Sequence, residues 1–264
     1  MKKIIGFIAV LMLLSSCATT QRYPNSISSP QKSEKLAYLE YEMARNIILH
    51  KDYSRLPEAF KHLNNARNVL EDDPRIYYMI ALAYKLRNDS DKYVAYLNES
   101  IKKDKNFFDA YNALGIYYYE KKEYQKAIDT FSKLIHNPLY PHADFAFFNR
   151  SRVYIKLKKY KKAENDMRSA LLFSGYRNRI YWQNLISIQI EEKKYQEALK
   201  SLNKMEIYTG ASDFTHYSKA LCYTNLSMFE KAKKELQHIK ESNPDYYALK
   251  NRLLEKINAH HSNN

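Results

Sequence analysis

Few residues of this 264-residue chain have the side-chain types and the spacing that a catalytic or metal-binding site requires. The chain has two cysteines and eight histidines, and their spacing matches no metal-binding motif. The adjacent pair His260-His261 lies in a polar tail, where a solvated segment is the simpler interpretation. No nucleophile elbow, Walker loop or dinucleotide-binding fingerprint occurs in the sequence. We therefore expect a protein that is not an enzyme and that uses no metal, no cofactor and no small-molecule substrate.

Cys17 is the residue whose surroundings do indicate a reaction. Two lysines precede an apolar stretch from Ile4 to Leu14, which is too short to span a bilayer and is typical of a secretory signal peptide. The segment Leu14-Ser15-Ser16-Cys17 then resembles the lipobox of bacterial lipoproteins. The resemblance implies that residues 1–16 are removed as a signal peptide. It also implies that lipid chains such as palmitate are attached covalently at Cys17.

The residues after this cysteine indicate a destination and a tether. Ala18 follows Cys17. In lacking Asp directly after the cysteine, the chain resembles the lipoproteins that are usually sorted to the outer membrane. We therefore expect a lipid-anchored protein on the periplasmic face of the outer membrane. Residues 17–32 are polar and contain Pro24 and Pro30, which predicts a flexible tether. The second cysteine, Cys222, lies in an apolar helical stretch and is expected to be a buried thiol without a disulfide.

The charge of the chain restricts its partners. The formal net charge is +14 and the sequence pI is about 9.4. Such a balance is compatible with nucleic acid, an anionic membrane surface or an acidic protein. Because an export signal argues against nucleic acid, we expect no nucleic-acid partner and a basic surface near anionic lipid headgroups.

An internal repeat of 34 to 36 residues sets the positions of all other elements. In the unit that begins at Phe108, the characteristic residues are Tyr111, Leu114, Gly115, Tyr118, Tyr124, Ala127 and Phe131. This order of large and small residues resembles the tetratricopeptide pattern. A small-residue slot recurs at Ala59, Tyr93, Ala127, Ala163, Ala198 and Ala232. Small residues there let two antiparallel helices approach closely, whereas Tyr93 predicts a splayed second hairpin.

The repeat predicts an all-α fold, a right-handed tetratricopeptide superhelical solenoid of about six hairpins. The expected domain covers residues 33–264, with repeats at about 34–73, 74–107, 108–143, 144–178, 179–212 and 213–245. Low glycine and proline contents favour helices throughout. Residues 246–258 are amphipathic and are predicted to form a capping helix over the last hydrophobic face. Gly175 and Gly210 are expected to end helices in a left-handed conformation.

A partner-binding groove is expected along the first helix of each hairpin. The candidate residues are Tyr78, Asp109, Asn112, Ile116, Tyr119, Phe145, Phe148, Arg152 and Tyr217. Aromatic rings are effective contact residues, and Arg152 could pair with an acidic or carboxyl-terminal group. An equally acceptable interpretation is that half of these rings pack between repeats.

A proline-rich segment between the third and fourth units carries a narrower resemblance. Residues 136–143 read His-Asn-Pro-Leu-Tyr-Pro-His-Ala, and the two prolines predict an extended turn. Together with the lipobox, the tether and six hairpins, this linker resembles the type IV pilus biogenesis lipoproteins of the PilF/PilW pilotin family. The resemblance implies an outer-membrane lipoprotein that binds secretin subunits of the pilus and assists their assembly. An alternative is a scaffold lipoprotein for outer-membrane protein assembly, gliding motility or peptidoglycan synthesis.

Overall fold

The computed structural model describes residues 29–262 of the chain. This part consists of helices, and no strand occurs in it. The helices are α1 (Ser29–Leu49), α2 (Leu56–Arg67), α3 (Pro74–Leu86), α4 (Ser90–Lys103), α5 (Phe108–Glu120), α6 (Tyr124–Ile135), α7 (Ala143–Lys156), α8 (Tyr160–Phe173), α9 (Arg179–Glu191), α10 (Tyr195–Thr209), α11 (Asp213–Asn225), α12 (Phe229–Gln237) and α13 (Pro244–Ser262). The signal peptide, Cys17 and most of the predicted tether lie outside the described residues.

The helices pack in consecutive pairs, as the repeat predicts. α1 packs on α2, α3 on α4, and so on to α11 on α12, and each second helix also contacts the first helix of the next pair. First helices contact each other directly at α1/α3 and α5/α7, and α13 packs on α11 and α12. The prediction of an all-α tetratricopeptide solenoid with a capping helix is therefore confirmed. We call α1, α3, α5, α7, α9 and α11 the first helices and α2, α4, α6, α8, α10 and α12 the second helices.

The turn inside each hairpin follows one backbone rule. A residue with positive φ stands at Lys51, Asn88, Lys122, Lys158, Lys193 and Ser227, once per hairpin. In the third hairpin, Lys122 N–H donates to Tyr119 O at 3.1 Å and Glu123 N–H donates to Tyr118 O at 2.8 Å. This pair of bonds is the Schellman motif, which satisfies the last carbonyl groups of a helix. The repeated motif therefore reverses the chain at the same place in every unit.

Small residues hold the two helices of a hairpin together. The five alanines of the predicted small-residue slot are fully buried (Ala59, Ala127, Ala163, Ala198 and Ala232). Gly115 faces Phe131, and a Cβ at residue 115 would lie 2.6 Å from Phe131 Cε1. The expected close approach at Gly115 is therefore present. Gly175 has φ +63° and Gly210 has φ +78°, so each adopts the positive φ that glycine tolerates.

The second hairpin is not splayed, which corrects the expectation drawn from Tyr93. α3 and α4 pack directly on each other, and the Tyr93 side chain is buried. Its ring contacts the Tyr117 ring of the next hairpin at a centroid distance of 5.6 Å. The space comes from Ala81 of α3, which is fully buried in the same core cluster. A small residue on one helix thus compensates for a large one on its partner.

The ends of the solenoid extend further than the sequence pattern indicates. α1 begins at Ser29, so the predicted tether 17–32 is wrong in its last four residues. Pro30 belongs to the first turn of α1, where its missing N–H has no intrahelical partner in any case. At the other end, α13 buries Leu253 and Ile257 against Leu236 and Ile239. Within residues 29–262, no helix is both long enough and apolar enough to cross a membrane.

Candidate partner-binding face

The candidate residues of α5 and α7 lie on matching faces of two neighbouring first helices. Asp109, Asn112, Ile116 and Tyr119 recur at the helical spacing along α5, and Phe145, Phe148 and Arg152 do so along α7. α5 and α7 contact each other, so the two rows run side by side. These residues, together with Tyr140 and Tyr181, form what we call the central cluster.

Arg152 connects the two rows. Its guanidinium lies over the Tyr119 ring at 4.8 Å and over the Phe148 ring at 5.9 Å. Its Nη1 donates a longer hydrogen bond of 3.4 Å to Asn149 Oδ1. Contacts of a guanidinium with aromatic faces orient it without neutralising its charge. Among residues 31–259 no carboxylate forms an ion pair with Arg152, so this cation remains able to bind an acidic group.

Phe148 connects α7 to the next hairpin through Tyr181. The two rings lie 5.0 Å apart, and the Tyr181 hydroxyl donates to Asp144 Oδ2 at 3.1 Å. Burial, followed by the charge of Asp144, raises the pKa of Tyr181 well above its usual range. The hydroxyl therefore stays protonated and keeps its role as donor. Tyr181 is not among the residues predicted from the sequence, because it lies one residue after the position of its repeat unit that is expected to line the groove.

The proline-rich linker is fixed to the cluster rather than loosely exposed. Tyr140 is buried, and its ring lies 5.0 Å from the Phe108 ring. The Tyr140 hydroxyl accepts a hydrogen bond of 2.9 Å from Asn112 Nδ2. Burial raises the pKa of Tyr140, although the bond from Asn112 opposes the shift. Asn112 Oδ1 is buried and has no hydrogen-bond partner among the described residues.

Asn137 determines the shape of the same linker. Its Oδ1 accepts a hydrogen bond from Leu139 N–H at 2.9 Å, and its Nδ2 donates to Asn106 Oδ1 at 3.0 Å. This bonding closes an Asx turn at Pro138 and attaches the linker to the loop between α4 and α5. Leu139 is left 67% exposed at the tip. The linker therefore presents an apolar residue on an ordered turn.

Three other candidate residues differ in their exposure. Phe145 is 51% exposed, and its ring lies 6.0 Å from the His142 ring, so it projects from the cluster. Ile116 is half-buried and packs into the core of the third hairpin. Asp109 is exposed at the start of α5 and acts on the titration of Tyr140. Phe145 thus offers the largest apolar contact of the three.

Tyr78 and Tyr217 lie outside the central cluster. Tyr78 packs edge-on against Phe107 at 5.5 Å, and its burial, followed by the charge of Asp109, raises its pKa to about 12. Tyr217 packs against Tyr246 of the capping helix at 6.1 Å. These two tyrosines therefore pack against the neighbouring hairpin and the capping helix, as the alternative interpretation of the rings allowed.

Between residues 29 and 262, no group of three His, Cys, Asp or Glu side chains is placed to hold a metal ion. Cys222 is buried and forms no disulfide, and burial raises the pKa of its thiol to about 12. The side chains of the central cluster offer aromatic rings, an amide group, the Arg152 cation and the Asp109 carboxylate.

Comparison with known proteins agrees with this architecture. Residues 74–107 and 146–174 match one tetratricopeptide-repeat model, and residues 96–129 match a second one. The chain is thus built from tetratricopeptide repeats. No curated protein sequence matches it.

Solved structures of the same fold include two proteins of type IV pili. PilF of Pseudomonas aeruginosa matches with a TM-score of 0.60 at 14% identity, covering 81% of this chain and 94% of PilF. PilW, described as a widely conserved type IV pilus biogenesis factor, matches with a TM-score of 0.60 at 13% identity, covering 83% of this chain and 99% of PilW. YrrB, described as a tetratricopeptide protein with an unusual peptide-binding site, matches with a TM-score of 0.58 at 19% identity, covering 73% of this chain and 97% of YrrB. At these identities the likeness concerns the fold.

Proposed function

We propose that this chain is a pilotin, an outer-membrane lipoprotein that binds secretin subunits of the type IV pilus and promotes their assembly into the secretin pore. Lipid on Cys17 would hold it on the periplasmic face of the membrane. The tetratricopeptide solenoid would supply the binding surface, and no catalytic step is required.

The observation that carries this proposal is the combination of the central cluster with the ordered proline-rich linker. Nearly the whole length of PilF and PilW superposes on this solenoid. The linker that resembles that family is tied to α5 through the bond between Asn112 and Tyr140. The linker is therefore held against the same row of α5 residues that carries Tyr119, the ring that Arg152 contacts.

The chemistry of the cluster indicates how a secretin segment would be held. Phe145 and Leu139 expose apolar surface at two points beside the first-helix face. Arg152 supplies a cation between aromatic rings, which suits a carboxylate of the partner. Arg and aromatic residues dominate binding energy at protein interfaces. We expect an extended or helical segment with an acidic group opposite Arg152.

The lipid anchor would raise the local concentration of the solenoid and its client at the membrane and would not itself contact the client. Each buried methylene of an acyl chain contributes about 0.8 kcal/mol to membrane binding, so several chains give a stable anchor. Confining the solenoid and its client to one membrane surface raises their effective concentration. The anchor would thus carry the client to the membrane in which it assembles.

The first test is genetic. In a strain lacking this chain, or carrying Cys17→Ala, we expect secretin to remain monomeric on denaturing gels and pili to be lost. Normal secretin multimers in the deletion strain would contradict the pilotin proposal and would favour a scaffold of another envelope complex.

A second test separates the binding surface from the anchor. Arg152→Glu reverses the charge of one residue in the central cluster, and Lys234→Glu makes the same change on an exposed position of α12. We expect the first variant to reduce secretin co-purification at least tenfold and the second to leave it unchanged. Equal co-purification by the two variants would show that the central cluster is not the secretin site.

A further inference from the structure

A concave surface lies on the second-helix side of the solenoid, and none of its lining residues belongs to the central cluster. It is a groove of about 610 Å³ between α8 and α10, with α9 beneath it. Ligand-binding pockets in proteins have about this volume, from about 300 to 1,000 Å³. The groove is therefore large enough for one or two bulky side chains of a partner.

The floor of this groove is apolar and rigid. Leu171, Trp182 and Leu185 line it and are buried, Trp182 being 2% exposed. The indole Nε1–H of Trp182 donates to Tyr176 O at 2.8 Å. That bond fixes the loop between α8 and α9 against the floor. An apolar side chain entering the groove would meet a preformed surface.

Tyr176 and Trp182, which line the groove, belong to an aromatic stack that includes Tyr208. The Tyr176 ring lies 6.0 Å from the Trp182 ring and 5.1 Å from the Tyr208 ring. The Trp182 and Tyr208 rings lie 6.5 Å apart and are nearly parallel, at 24°. Tyr208 is 44% exposed, so the stack continues from the buried floor to the surface. Such rings are typical anchors of protein interfaces.

The rim of the groove is basic. Arg168, Lys200 and Lys204 line it together with a single carboxylate, Glu197. Arg168 already pairs with Glu164 at 2.6 Å. Lys204 Nζ instead lies over the Tyr176 ring at 4.3 Å, and within residues 31–259 neither lysine forms an ion pair. Two cations at the edge of an apolar groove favour an anionic partner.

Exposed apolar residues extend the surface beyond the groove itself. Leu172 lines the groove and is 60% exposed, and Phe173 beside it stacks on Phe147 at 5.6 Å. Ile207, one residue before Tyr208, is 81% exposed. Patches of exposed apolar side chains on the surface of a soluble protein mark interaction sites. Of these residues, Leu172 adds exposed apolar surface directly to the groove that Lys200 and Lys204 border.

We propose that this groove binds an acidic protein segment that inserts a bulky apolar side chain over Trp182 and places its carboxylates near Lys200 and Lys204. A lipid headgroup layer fits less well, because it is flat and the apolar floor lies below the rim. The site is separate from the first-helix face and does not depend on the pilotin proposal. A solenoid with two such faces can hold two protein segments at once.

The single tryptophan of the chain makes this proposal directly measurable, because Trp182 reports on the groove floor. A phage-displayed library of random 12-residue peptides is selected on the full chain carrying Cys17→Ser in solution. We expect the enriched peptides to be acidic with one or two bulky apolar residues. Their synthetic forms should change Trp182 fluorescence saturably.

Charge reversal inside and outside the groove supplies a second test. Lys200→Glu with Lys204→Glu changes two exposed rim residues, and Lys161→Glu changes an exposed residue of α8 that does not line the groove. The double variant should weaken peptide binding at least tenfold, and Lys161→Glu should leave it unchanged. No enriched peptides, peptides that leave Trp182 fluorescence unchanged, or equal affinity for the double variant would each overturn the proposal. The same fluorescence change with vesicles of anionic phospholipid, and none with peptides, would assign the groove to a membrane surface instead.

Discussion

Gly115 and Phe131 define the closest approach of the two helices in the third hairpin. A Cβ built at residue 115 would lie 2.6 Å from Cε1 and 2.8 Å from Cζ of the Phe131 ring. The ring is 1% exposed and is enclosed by the core, so it has little room to move. The helices can approach this closely because glycine has a hydrogen atom where every other residue type has Cβ.

Gly115→Ala should destabilise the chain, although replacing glycine by alanine in a helix is usually stabilising. In the interior of an exposed helix, alanine is about 1 kcal/mol more favourable than glycine. Here the added methyl group overpacks the core, and we expect the free energy of unfolding to fall by about 1–3 kcal/mol in urea denaturation. In a Phe131→Leu background the same substitution should cost less. A neutral or stabilising Gly115→Ala would contradict the close approach.

Lys122→Gly should stabilise the third hairpin. Lys122 has φ +62° in the turn between α5 and α6, a conformation that is unfavourable for residues with a Cβ. Glycine adopts it without strain, and we expect a gain of about 0.5–1 kcal/mol in the free energy of unfolding. Lys121, the preceding residue, has φ −77° and is the control. Lys121→Gly should destabilise, and a loss of stability in Lys122→Gly would refute the strain argument.

The helical repeat could be predicted from the sequence because its causes are local. A buried small residue every 34 to 36 positions forces close helix packing, and the aromatic residues fill the space between hairpins. The size of Tyr93 alone predicts a splayed hairpin, because the sequence does not show that the small residue Ala81 of α3 belongs to the same buried cluster. The start of α1 differs from the prediction because Pro30 can be either a tether residue or a first-turn residue.

The candidate sites were less predictable because they depend on contacts between distant residues. The face of α5 and α7 follows from helical spacing, so Phe148 and Arg152 could be named in advance. The bond between Tyr181 and Asp144 spans 37 residues and two hairpins, which no local pattern specifies. The groove over Trp182 requires the relative placement of α8, α9 and α10, which only the packed solenoid provides.

Acid should weaken the fold partly through Glu164. Burial disfavours its ionised form, but hydrogen bonds from Gln189, Arg168 and Lys194 outweigh burial, so its pKa is lowered from 4.5. A carboxyl group with a lowered folded-state pKa stabilises the fold above pH 4.5 and loses this contribution as the pH falls through its folded-state value. Glu164→Gln should therefore reduce stability at pH 7 by about 1–3 kcal/mol.

The pH dependence of the free energy of unfolding distinguishes the contribution of Glu164 from that of the other titrating groups. Between pH 7 and pH 3, the variant Glu164→Gln should lose less stability than the wild type in urea denaturation, because the titrating group is gone. Glu197→Gln, on the exposed part of α10, is the control for a change of one charge. An unchanged slope of stability against pH in Glu164→Gln would exclude this group as a source of acid sensitivity.

Cys222 should be unreactive in the folded chain. Its side chain is fully buried, and burial raises the pKa of the thiol to about 12, so almost no thiolate forms at pH 8. In the Cys17→Ser background Cys222 is the remaining cysteine. We expect reaction with Ellman's reagent only after denaturation in urea. Rapid reaction of the native chain would show that α11 opens on the experimental timescale or that the thiol is exposed.

Tyr140→Phe should loosen the proline-rich linker without changing the shape of its core. The substitution removes the hydroxyl that accepts from Asn112 Nδ2, and the amide of Asn112, already without a partner for its Oδ1, loses its hydrogen bond. An unsatisfied buried polar group costs about 1–3 kcal/mol, and we expect a loss of this size in urea denaturation. Tyr208→Phe, at an exposed tyrosine of α10, should change stability by less than about 0.5 kcal/mol. If the linker positions the central cluster for the proposed secretin binding, Tyr140→Phe should also weaken secretin co-purification. Wild-type levels would show that the linker only joins two hairpins.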